Sequence, residues 1–291
     1  MKSKVYFTKN ITPEKVLDLY KLLSADLTGN IAIKLHTGEV GNQNFLRPEF
    51  WKPVIDAVGG TVVECNTAYE GERNTTEKHL KTIEKHEWSK YFTVDLLDAE
   101  GPDIELDIPR GKVIKKNYIG KDSAKYDSML VLSHFKGHPM GGYGGALKQL
   151  AIGMASSYGK AYVHGAGVPE DIWTADHDKF LESMADAALS ITEYFKAKGG
   201  KIAYINVMKN MSVDCDCVAH AEDPCMADIG ILASLDPIAI DQACIDLVYS
   251  SNDPGKGHLI ERIESRNGVH TIEAAAELGF GSREYELINI D

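Results

Sequence analysis

Residues 128–156 read SMLVLSHFKGHPMGGYGGALKQLAIGMAS, and the order of features in this stretch decides the fold. Ser128 to Leu132 is a short uninterrupted apolar run, the mark of a strand buried on both faces of a sheet. Five glycines follow between 137 and 145, which frees the backbone to turn and to approach a ligand closely. Ala146 to Ser156 then reads as a helix leaving the turn. This order puts the turn at the carboxyl edge of an open α/β sheet, where ligands bind in the crevice and helix N–H groups hold anions. Gly141, Gly142, Gly144, Gly145 and Lys148 are therefore candidate residues for a small anionic ligand, and Lys136 adds positive charge. The plain alternative is a loop that only turns tightly.

No known phosphate signature supports a nucleotide here. Gly153 and Gly159-Lys160 are one residue too far apart for a Walker loop, and Leu147 stands where a dinucleotide fingerprint needs glycine or alanine. His134 and His138 flank Lys136 in the turn. Imidazole is both a common metal ligand and the usual acid–base group near neutral pH, so His134, His138 and Lys136 are the candidate catalytic residues. His36, after the run Ile31–Leu35, and His164, after the run Lys160–Val163, are expected on the same sheet edge as further ligand-binding residues.

Outward from this segment the chain alternates strand and helix, which predicts one largely parallel or mixed sheet with helices on both faces. Strands are expected at Val5–Phe7, Ile31–Leu35, Thr61–Glu64, Ser128–Leu132, Lys160–Val163, Ile202–Val207, Asp228–Ala233 and Tyr285–Ile290. Helices are expected after Thr12-Pro13, over Pro48–Val58, about 75–88, about 176–198, and from Asp236-Pro237 to about Tyr249, each proline at a first helical position. Two short helices precede the last strand. The region 92–127 reads as a small β excursion with Val113–Tyr118 as one strand. The chain is read as a single α/β domain over 1–291, with a subdomain boundary allowed near 120–127.

The second chemical feature is Asp214-Cys215-Asp216-Cys217, followed by Cys225. In extended chain, positions i and i+2 face one side, so Cys215 and Cys217 can share an ion, with Cys225 as a third ligand and His220 or solvent as a fourth. Thiolates favour zinc, iron or a cluster. A redox dithiol and plain reduced cysteines are the other readings. Cys65 and Cys244 read as small core residues. Asp241, one turn into its helix, reads as a solvated residue, or as a partner that orients a histidine.

Composition limits the function classes. A net charge of −12 argues against nucleic acid and against an anionic membrane surface. No apolar run reaches a membrane span and no signal region opens the sequence, so a cytoplasmic protein is expected. Three of the five cysteines cluster, which in a reducing compartment suggests metal or redox chemistry.

His134 to Gly153, Asp214 to Cys217 and the run Asp228 to Asp241 resemble the domain-of-unknown-function 362 family, and the similarity extends to His36–Asn42. Many of its members are described as uncharacterised iron–sulfur centre proteins, so the resemblance implies an iron–sulfur cluster or a thiolate-bound metal such as zinc or iron. That description fits members with inserted ferredoxin modules, and this chain lacks such an insert. Any cluster or metal here would use Cys215, Cys217 and Cys225, or the histidine edge. The loop is also similar, more distantly, to nickel-dependent lactate racemase. Two functions stay open: a metal or iron–sulfur enzyme of redox type with a redox partner protein, or a non-redox anion-binding protein or isomerase working from the His/Gly loop.

Overall fold

The computed structural model describes residues 2–291. The first half contains β1 (Ser3–Thr8), α1 (Pro13–Leu23), β2 (Ile31–Lys34), α2 (Pro48–Val58), β3 (Thr61–Glu64), α3 (Thr76–Lys85), β4 (Val94–Leu96), β5 (Ile104–Asp107), β6 (Lys116–Ile119), β7 (Ser128–His134), β8 (Lys136–His138), β9 (Gly142–Gly144) and α4 (Ala146–Lys148). The second contains α5 (Ser157–His164), α6 (His177–Ala197), β10 (Ile202–Met208), β11 (Gly230–Ser234), α7 (Pro237–Ser250), α8 (Lys256–Ser265), α9 (Val269–Glu277) and β12 (Tyr285–Asn289). No helix among the described residues is long and apolar enough to cross a membrane.

Eight strands form one sheet in the order β12-β1-β11-β10-β7-β2-β3-β4. All neighbours are parallel except β11, which runs antiparallel to both β1 and β10. The apolar run at β7 is an interior strand, paired with β10 and β2. Its side chains alternate between two cores, as the strand period requires. Met129 and Val131 pack with residues of the helices from α4 onward, while Leu130 and Leu132 pack with α1, α2 and α3 through Leu19, Trp51 and Ile83. Full burial of each such aliphatic side chain contributes about 1.5–3 kcal/mol. The helix starts are also as read: Thr12 caps α1 by accepting from the Lys15 N–H, and Asp236 caps α7 by accepting from Ile238 and Ala239.

Four local expectations are corrected. Lys160–Val163 is helix, not strand, because Ser156 caps α5 by accepting from the Gly159 N–H, and Gly159 lies against the Tyr118 carbonyl where no Cβ would fit. The helix expected over Ala146–Ser156 stops early: α4 continues as a single π turn over Gln149–Gly153, and Ala155 instead bridges to Ile119. In the excursion, β4 belongs to the main sheet, and only β5 and β6 form a separate antiparallel ribbon.

The strand read from Val113 begins at Lys116 instead. Buried Asp186 of α6 explains the shift, since its carboxylate accepts from the N–H groups of Lys112, Val113 and Ile114 at 2.7, 2.8 and 3.0 Å. That grip uses the N–H groups a ladder would need. Asp186→Ala should therefore destabilise the protein by about 3 kcal/mol in urea unfolding, with Asp186→Asn losing less.

Candidate functional site

The sheet edge that receives the carboxyl ends of β2, β3 and β7 closes over a cavity of about 300 Å³. Lys34 and His36 reach it from β2 and its loop, Glu64 and Cys65 from β3, His134 from β7, and Lys136 and His138 from β8. The loop after β10 brings Cys215, Asp216 and Cys217 to the same wall. The crevice expected at this edge is present, and the two chemical segments read from the sequence share it.

The glycine-rich turn is a small hairpin, β8 against β9. Gly142 has φ of 77° and lies so close to Gly268 that a Cβ would stand 2.8 Å from its Cα. The N–H groups at the start of α4 are already used: Ala146 and Leu147 donate to Asp241 at 2.8 and 2.9 Å. Gly145 admits that carboxylate, since a Cβ there would come within 2.4 Å of it. Asp241 also accepts from Tyr143 and Asn206 and is fully buried, so the expectation of a solvated residue is corrected. Gly144 and Gly145 line the cavity; Gly141 and Gly142 are not among its lining residues.

Lysine and histidine give the site its electrostatics. Burial alone would raise the Asp216 carboxyl, but His134 and Lys136 outweigh it and hold it well below the usual range. Lys136 donates to Asp216 at 2.7 Å, and His134 Nδ1 lies 2.9 Å from the same carboxylate. His134 Nε2 meets the Lys209 carbonyl at 2.5 Å, so neither ring nitrogen is left for a substrate. Glu64 pairs with Lys34 and accepts from the Thr37 N–H, and Arg73 pairs with Glu39.

Burial, with Arg73 beside it, lowers His36 well below the histidine range, and His36 Nδ1 accepts from the Gly38 N–H. His164 joins the cavity from the end of α5, not from a strand; its Nδ1 meets the Lys160 carbonyl at 2.7 Å. Lys148 has no hydrogen bond or ion pair among the described residues. Burial, then Lys136 and Arg73, push it down to about 7. The lining holds five cationic side chains, Lys34, Arg73, Lys136, Lys148 and Lys160, against the carboxylates Glu64 and Asp216.

In the same lining, the sulfurs of Cys215 and Cys217 are bonded to each other. His138 Nε2 lies 3.7 Å from the Cys217 sulfur, while its Nδ1 accepts from the Met140 and Gly141 N–H groups at 3.1 and 2.8 Å. His138, Cys215 and Cys217 each place a ligand atom within 4.8 Å of the others, so this grouping could hold a metal ion once the cysteines are reduced. Cys225 and His220 are not part of it. Cys225 is half-buried and directs its thiol to the Met211 carbonyl, and His220 is exposed. Two thiolates and one imidazole suit a mononuclear ion and fall short of the four thiolates of a cluster. Residues not singled out by sequence include Lys34, Glu64, Arg73, Lys160 and Asp216. The first two carry a readable signal, as charges inside otherwise apolar strands.

The fold and the cavity define an α/β protein with a cavity lined by basic side chains beside a His/Cys group. Residues 31–246 match the family described as "Domain of unknown function (DUF362)", and the chain belongs to it. No curated protein matches the chain. Among solved structures it is similar to the lactate racemase apoprotein of Thermoanaerobacterium thermosaccharolyticum, with 14% identity, a TM-score of 0.37, and coverage of 69% of this chain and 50% of that one. It is also similar to a structural-genomics protein of Thermotoga maritima, with 14% identity, a TM-score of 0.44, and coverage of 91% and 59%.

The buried histidines make the fold acid-sensitive. Burial holds His164 neutral down to about 4, whereas the unfolded chain takes up that proton near 6.5. Stability should therefore fall as pH drops through this window, by about 3 kcal/mol from this residue. Urea midpoints measured between pH 7 and pH 4 should show a shallower slope for His164→Gln than for the native chain.

Proposed function

We propose that the protein is a redox-type enzyme whose centre is Cys215 and Cys217 with His138 beside them. The observation that carries this reading is that the two sulfurs are bonded to each other at the wall of the cavity, next to a ring nitrogen. With Nδ1 accepting from two backbone N–H groups, the neutral His138 ring carries its proton on Nε2, facing Cys217. A donor in that position stabilises a thiolate there when the bond opens. Reducing the disulfide takes up two electrons and two protons, and the reverse step delivers them to an acceptor in the cavity or to a redox partner protein.

A second reading is favoured by the donor set itself: the reduced pair with His138 holding zinc or iron. It requires the proton on His138 to leave Nε2, at the expense of the Nδ1 contacts. The isomerase reading, with His134 or His138 as the acid–base group, loses His134, both of whose nitrogens are engaged, and would rest on His138.

Alkylation of the unfolded chain separates these readings. As purified in air it should trap three thiols, those of Cys65, Cys225 and Cys244, and two more after reduction. Cys225→Ser should keep the two-thiol step and Cys217→Ser should lose it. His138→Gln should slow alkylation of the reduced native pair by roughly tenfold. Five free thiols under air, together with one equivalent of metal that is lost in Cys215→Ser, would replace the dithiol reading with the metal one.

A further inference from the structure

The cavity carries more positive charge than its own groups balance. Lys34 is paired with Glu64, Arg73 with Glu39, and Lys136 with Asp216. Lys160 donates to the Ala155 carbonyl. Lys148 alone of the five has neither a carboxylate nor a carbonyl in reach among the described residues. Lys148 is half-buried at the cavity wall, and a cation there without a partner is less well compensated than one in bulk water, a cost that methionine or leucine at the same helical position would not carry.

Its placement is also specific. A Cβ built on Gly144 would meet Lys148 Cδ at 3.8 Å and Lys136 Nζ at 3.9 Å, so both chains extend over the same bare backbone. No side chain at 144 separates them. The lining also has apolar members: Ile152 is buried, Ile172 is half-buried, and Trp173 is largely exposed and lies 6.1 Å from the Tyr69 ring. The volume, about 300 Å³, lies at the lower end for small-molecule pockets.

We infer that Lys148 and Lys136, across Gly144, seat the anionic head of a small organic acid whose apolar part lies toward Ile152, Ile172 and Trp173. Neither lysine belongs to the His138–cysteine group, so this assignment rests on the charge balance of the cavity and not on the redox reading. The shared chemistry of the head is a carboxylate or a phosphate. Charge, not shape, selects it: a compact ammonium attracts an anion without demanding the forked geometry that arginine reads.

Titration calorimetry on the full chain tests this with benzoate, its uncharged counterpart benzamide, and inorganic phosphate. Benzoate should bind saturably and benzamide roughly tenfold more weakly, the ratio expected when one charge-assisted contact is lost. Lys148→Met should weaken benzoate by at least about tenfold while its ligand-free melting temperature rises, because an unpaired charge has been removed. Lys148→Arg should keep benzoate binding, and serves as the comparison if the methionine variant folds poorly. Saturable phosphate without benzoate would keep the head site and overturn the apolar tail. Equal binding of benzoate and benzamide, unchanged binding by Lys148→Met, or no heat with any probe would overturn the proposal. Repeating the titration before and after reduction separates the two readings: benzoate binding in a chain with no dithiol chemistry leaves this one standing alone.

Discussion

Asp216 is the point on which the site hangs. Its carboxylate lies in the protein interior between two cysteines and answers both His134 at the end of β7 and Lys136 at the start of β8. Its own backbone carbonyl accepts from the Glu39 N–H at 2.8 Å, which ties in the loop after β2. Asn42 of that loop extends the same tie through the carbonyls of Cys215 and Val218. Three loops from different strands are thus fixed to one another by charge and by backbone hydrogen bonds. Burying such groups is expensive, and breaking one partner away leaves an uncompensated charge that costs about 3–5 kcal/mol. Such a network is better understood as setting geometry than as adding stability. It fixes where the cysteines and His138 can stand.

The main architecture was legible because it rests on period and punctuation. Ser128–Leu132 could be read as a buried strand since no polar residue interrupts it, and the starts at Thr12-Pro13 and Asp236-Pro237 are local chemistry that tertiary contacts do not override. Lys160–Val163 misled because a short apolar run looks alike in helix and strand, and Ser156 as a cap decided it. Val113 misled because the group holding it, Asp186, is far along the chain.

The site was legible in its parts and not in its wiring. His138, Lys136, Lys148, Cys215 and Cys217 do line one cavity. Spacing alone could not show that Asp241 would fill the helix start meant for a ligand, or that His134 would spend both nitrogens on the protein. Cys225 looked close enough to join its neighbours, yet the segment folds it toward Met211. Lys34 and Glu64 could have been found: an ionisable residue at the end of an otherwise apolar strand has to be paired, and that pairing is itself a pointer to the crevice.

The single reversed strand has a consequence for how this surface can change. Because β11 runs against β10, Met208 and Gly230 lie opposite each other at the same edge of the sheet. The chain between them leaves and re-enters at one place and never crosses a face. Such a segment behaves as an oversized hairpin connection, in which added length costs only slowly rising closure entropy. The sulfur-bearing part of the pocket is thus the part whose length is least tied to the sheet, while the lysine-bearing part, built on strand ends and α4, is fixed to it. Added length can enter that segment on either side of the ties that hold Asp216, whereas the lysine-bearing half is held throughout by strand ends and α4.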